Sequence, residues 1–98
     1  MKQIYIRDPM GKPIKATLLR RVKIRDGFEN LGVVVGPSGL FFVTELRTGA
    51  GIGYSHFSAK EAIEAAKEKI NKNTVDSFLR GIESVVTKFG ELPKAEGK

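Results

Sequence analysis

Ninety-eight residues, 41% hydrophobic and 29% charged, make an ordinary globular composition for one domain rather than a disordered chain. The absence of cysteine excludes disulfides, thiolate metal centres and cysteine nucleophiles, and no apolar run approaches the roughly 18 residues of a membrane span. The whole net charge of +6 falls within residues 1–27, where Lys2, Arg7, Lys12, Lys15, Arg20, Arg21, Lys23 and Arg25 stand against only Asp8 and Asp26; a field so clustered attracts phosphate or acidic surfaces.

The opening MKQIYIRDPMG lacks the apolar core of a signal peptide, so the expected location is cytoplasmic. Within it KQIYIR alternates, placing Ile4 and Ile6 on one side and Tyr5 and Arg7 on the other, and DPMGKP supplies a turn. From Ile14 to Arg25 a long alternation puts Ile14, Ala16, Leu18, Val22 and Ile24 on one face and Lys15, Arg21, Lys23 and Arg25 on the other. Leu19 and Arg20 break the pattern, which a local bulge or an exposed edge would accommodate. LGVVV and LFFVTEL flank GPSG as a hairpin, and RTGAG turns into a fifth strand, IGYSHF.

The period changes at Ser58. Ser58-Ala59-Lys60-Glu61 reads as a capping box, followed by Ala59, Ala62, Ile63, Ala66 and Ile70 at helical spacing. Thr74 opens a second helix whose stripe of Val75, Phe78, Leu79, Ile82, Val85, Val86 and Phe89 ends at Gly90. Gly81, inside that helix, predicts close approach to another backbone in this chain or in a second copy. The fold expected is α+β: an antiparallel meander of about five strands followed by two C-terminal helices packed on one sheet face, with residues 1–90 as a single domain and residues 91–98 as a loose tail.

No constellation calls for catalysis. His56 is the only histidine, the carboxylates of the strand half are scattered, and no metal ligand set or cofactor motif is present, so a non-enzymatic protein without metal or cofactor is expected. TGAGIGYS, residues 48–55, has neither the GK[ST] nor the following helix of a phosphate loop, and its glycines read as hairpin glycines. The basic strand remains. Projecting from one open sheet face, Tyr5, Arg7, Lys12, Lys15, Arg20, Arg21, Lys23 and Arg25 would form a nucleic-acid interface of low sequence specificity, the cations on phosphates and Tyr5 on a base. A solvated, aggregation-resistant edge is the plainer reading of the same charges, though several arginines exceed what a defensive edge requires. The alternative function is a protein-interaction module: an accessory or inhibitor protein meeting an acidic partner, or a homodimerising assembly factor that joins through Phe78, Ile82, Val85 and Phe89.

The stretch FFVTELRTGAGIGYSHFSAKEAIEAA, residues 41–66, resembles a pattern of small uncharacterised phage and mobile-element proteins. There an aromatic-x-V-T strand meets a TG turn, a second strand and a Ser/Thr-capped helix beginning K-E-A. Glu45 stands where that pattern has histidine, and no active residue carries over. The resemblance implies a small accessory protein that acts on nucleic acid or on a complex handling it.

Overall fold

The computed structural model describes residues 2–8 and 10–90; Pro9 of the first turn and the expected tail at 91–98 lie outside the described residues. Five strands, β1 (Lys2–Arg7), β2 (Pro13–Val22), β3 (Leu31–Val35), β4 (Phe41–Glu45) and β5 (Gly51–His56), precede two helices, α1 (Ala59–Asn71) and α2 (Val75–Phe89). The strands form one antiparallel sheet in sequence order, so the architecture is the α+β meander that the alternation implied. No described helix is long and apolar enough to cross a membrane.

β2 ends at Val22, so Lys23 and Arg25 sit in the β2–β3 connection and not on a strand. The register explains more. Leu18 pairs with Val34 but Arg20 pairs with Val33, so Leu19 is the extra residue of a bulge. Because the side-chain period of a strand is two, one inserted residue exchanges the faces of everything beyond it. Ile14, Ala16 and Leu18 therefore join Ile4, Ile6, Val34 and Phe42 in one apolar layer. Val22, Ile24 and Leu19 pack instead with Leu31, Val33 and Val43 beneath the helices. The single apolar face expected for Ile14 through Ile24 is thus two faces.

The layer facing away from the helices is closed by curling of the sheet. The Arg7 amide donates to the Gly49 carbonyl at 3.0 Å, bringing the end of β1 to the β4–β5 connection. Ile6 and Val34, 1% and 0% exposed, are sealed by that curl. The face expected to be open and basic is accordingly a second, smaller core.

The helices begin where local chemistry starts them. Ser58 Oγ accepts from the Glu61 amide and Thr74 Oγ1 from the Ser77 amide, each at 3.1 Å, satisfying donors that a first turn leaves unpaired. Small Ala62 and Ala66 let α1 lie close over β3, β4 and β5, with Ile70 completing the contact. α2 anchors its first turns on the β2–β3 connection: Phe78 meets the Phe28 ring at a centroid distance of 4.8 Å, and Val75 packs on Gly27. For Gly81, the expected approach within this chain is not seen: a Cβ there would meet nothing within 4 Å, so no backbone among the described residues requires the glycine.

Candidate nucleic-acid interface

The partners of each cation divide the basic segment into tied and uncommitted groups. Arg7 is tied. Its Nε donates to the Thr48 carbonyl at 2.9 Å, Nη1 to Gly11 at 2.8 Å and Nη2 to Gly90 at 2.7 Å, while the guanidinium lies 5.5 Å from the Phe89 ring centroid. Such a planar fork with three carbonyls joins the first turn, the β4–β5 connection and the end of α2. Arg25 is tied likewise: Nη1 donates to the carbonyls of Ile70 (3.1 Å) and Asn73 (3.3 Å), and its carbon lies 5.3 Å over Phe28. A cation at those carbonyls also opposes the negative end of the α1 dipole. Lys23 Nζ lies 3.0 Å from Asp26 Oδ1. That hydrogen bond, then the charges of Asp26 and Glu29, raise its pKa above the usual lysine value.

Lys15 is exposed on the helix-side face and stands opposite Tyr5, which is half-buried and does not offer an open ring. Phe57, which sequence reasoning passed over, is the aromatic most open to solvent among the described large hydrophobics, at 86%. Lys12 is exposed in the first turn, about 25 Å along β2 from Arg20 at strand rise. The eight side chains predicted as one interface are therefore not brought together on one plane.

What remains concentrated is the far end of β2. The last β1 partner is Leu18, so among the described residues the strand has only β3 beside it from Leu19 to Val22. Arg20, opposite Val33, and Arg21, opposite Gly32, leave this overhang on its two sides. Both are exposed and neither has an ion pair or hydrogen bond among the described residues. Next to them a shallow hollow of about 300 Å³ mixes Arg21 and Lys23 with Glu29 and Asn30, which offsets part of the positive field there.

The residues proposed as a dimer surface serve this chain's own packing. Phe78 lies on Phe28, Ile82 is 5% exposed and Val85 is half-buried. Phe89 fills the space above Gly11, where any Cβ would collide with its ring, and carries Arg7 and Lys88 against it. Leu79 is the stripe residue turned most to water.

His56 stands opposite Phe41 with its Nε2 buried and without a hydrogen-bond partner among the described residues. The Glu45 carboxylate has partners of its own. That carboxylate, 2% exposed, accepts from the Thr48 amide (2.8 Å) and hydroxyl (2.7 Å), holding the β4–β5 turn shut.

A second feature was unread in the sequence. At one mouth of the curled sheet lies a cleft of about 460 Å³, with Ile6, Ile14, Leu40 and Phe42 as its apolar lining and Gly51, Gly53 and Ser55 along one wall. The signal for it was Gly-x-Gly-x-Ser at strand period, three small residues where inward side chains would fill the interior.

No family model, curated protein or solved structure matches the chain. The functional reading therefore rests on these residues.

Proposed function

We propose that the protein is a small non-enzymatic nucleic-acid-binding protein that grips the phosphate backbone with the overhanging end of β2, without strong sequence preference. The observation that carries this reading is the pair Arg20 and Arg21, exposed and unpaired among the described residues on a strand edge that has lost its neighbour. Guanidinium forks match phosphate oxygens, and leaving two of them unneutralised together favours an anionic partner. Lys2, on the adjacent end of β1, extends the positive track, and Lys12, in the first turn at the far end of β2, lies outside it. Arg7 and Arg25 are assigned to folding, and Lys23 is half-neutralised by Asp26. The likeness of residues 41–66 to small phage and mobile-element proteins is compatible with an accessory role on nucleic acid.

The footprint is smaller than eight side chains would make it. Two to four phosphate contacts give a log–log salt slope between about −1.4 and −2.8 on single strands. Titration of a labelled oligonucleotide at two salt concentrations tests this. Arg20→Glu/Arg21→Glu should remove most binding while leaving the melting temperature unchanged. Equal affinity of that variant and the wild type overturns the reading, and capture of an acidic protein with no oligonucleotide binding replaces it with the protein-interaction alternative.

A further inference from the structure

The two arginines at the end of β2 stand on opposite faces of the sheet. Residues directly opposite one another in an antiparallel pair share a face. Arg20, opposite Val33, is therefore on the side of the helix-covered core to which Val33 belongs, and Arg21, opposite Gly32, is on the other. Lys2 pairs with Leu18, a member of the layer facing away from the helices, so it shares the face of Arg21.

A third arginine, outside the basic segment, belongs to a turn on that same face. The Leu46 amide donates to the Asn30 carbonyl at 2.6 Å, drawing the β4–β5 connection to the start of β3. The Leu46 side chain lies over Gly32: a Cβ on that glycine would stand 3.0 Å from Leu46 Cδ2 and 2.8 Å from Leu18 Cδ1. Arg47 follows Leu46, is exposed, and has neither an ion pair nor a hydrogen bond among the described residues. Lys2, Arg21 and Arg47 thus come from three segments that meet around Gly32, with Arg20 on the reverse of the same strand end.

A single phosphate backbone laid on either face would leave the cations of the other unused. A duplex presents two backbones. Guanidinium groups on successive strand residues, each about 6 Å out from the main chain in opposite directions, lie on the order of 12 Å apart, the width of the major groove of B-form DNA. The minor groove, about 6 Å wide, and the narrow major groove of A-form RNA are too tight for a strand charged on both sides. Strand side chains stand perpendicular to the sheet, so an edge entering a groove directs them at its walls and not at its floor. Phosphates are met and base edges are not, and weak sequence preference follows. Single-strand binders add open aromatic rings on which bases stack. Here Tyr5 is half-buried, and the open Phe57 follows His56, which stands opposite Phe41 at the other end of β4 from Leu46.

We propose that the partner is double-stranded DNA in the B form, with the end of β2 entering the major groove. Arg20 meets phosphates of one strand, and Lys2, Arg21 and Arg47 meet phosphates of the other. This rests on the phosphate-binding reading of the β2 end and adds to it the class of nucleic acid and the role of Arg47.

Titration of one labelled sequence as a DNA duplex, as single-stranded DNA and as an RNA duplex tests the proposal on the full chain. The DNA duplex should bind most tightly, with a log–log salt slope of about −2.7 to −3.6 from three or four phosphate contacts. Arg20→Ala, Arg21→Ala and Arg47→Ala should each make that slope shallower by about 0.9. All three side chains are exposed, and thermal melts establish that the variants fold. A single strand or an RNA duplex bound as tightly as the DNA duplex overturns the proposal and leaves the phosphate grip standing. So does an unchanged slope in any of the three variants, because the contacts then do not come from both faces as assigned. No binding by any of the three nucleic acids overturns the grip itself and the duplex assignment with it.

Discussion

Arg7 and Gly90, 83 positions apart in the chain, are joined by a hydrogen bond of 2.7 Å from the guanidinium Nη2 to the glycine carbonyl. The bond links the first strand to the last residue of the second helix, and the same side chain also holds Thr48 and Gly11. A residue predicted to neutralise phosphate is instead the clasp of the fold.

Arg7→Ala should therefore destabilise the protein by about 2–3 kcal/mol, since hydrogen bonds from a charged group contribute more than neutral ones and the Gly90 carbonyl regains water. For a chain of this size that lowers the melting temperature by roughly 10 °C or more. Arg7→Lys should recover little, because an ammonium cannot reach three carbonyls in fork geometry. Urea denaturation of the three proteins measures this, and full recovery by lysine refutes the clasp.

Arg25→Ala removes the cation from the end of α1 and its contact with Phe28. The expected cost is about 1–2 kcal/mol, and oligonucleotide affinity measured well below the melting temperature should be unchanged. A tenfold loss of affinity without loss of stability would return Arg25 to the binding surface.

Lys23→Ala is the contrasting case. The Asp26 hydrogen bond raises the lysine's folded pKa, so its stabilisation is fully present below the unfolded lysine pKa and is lost only as pH rises through the higher folded value. Both partners are exposed, 70% and 95%, and solvent screens them. Melting temperatures of wild type and variant should nearly coincide near neutral pH, and between pH 5 and 8 the small difference should not vary with pH on account of this lysine.

Gly81→Ala should stabilise the protein by about 0.5–1 kcal/mol, as the position is an exposed helix interior with open space around the missing Cβ. Loss of stability or of a native oligomer in that variant would mean that a second backbone does approach there.

Deletion of Leu19 should preserve the register. It removes the extra residue, so Leu18 opposite Val34 runs straight on to Arg20 opposite Val33, and Val22 stays opposite Leu31 on the helix side. Circular dichroism melts of the deletion and of Leu19→Ala test this: both should fold cooperatively at a similar cost, that of losing the Leu19 side chain from the helix-side core, and a deletion that fails to fold would mean that the bulge itself is required.

Much of the architecture was legible because it is written in neighbouring residues. Ser58 and Thr74 sit three positions before the amides they cap, and Gly36 through Gly39 turn a hairpin between two apolar runs. The candidate site was less legible. Counting cations located the charge on residues 1–27 but could not say which of them had partners, since the acceptors for Arg7 and Arg25 are main-chain carbonyls of distant segments, which carry no sequence signature. The cleft was missed for a related reason: Gly51, Gly53 and Ser55 resemble ordinary turn residues until the curl of the sheet sets them opposite Ile6 and Ile14.

By itself, then, the chain's order of residues determined five strands, two capped helices and a one-sided charge, all set by propensity and spacing within a few positions. Tertiary structure decided the rest: the phase change at Leu19, the burial of the face expected to be basic, and the division of the arginines into clasps and uncommitted groups. The physical reason is that strand phase and side-chain partners are properties of pairings between distant segments, and a single extra residue in one such pairing reassigns every side chain beyond it.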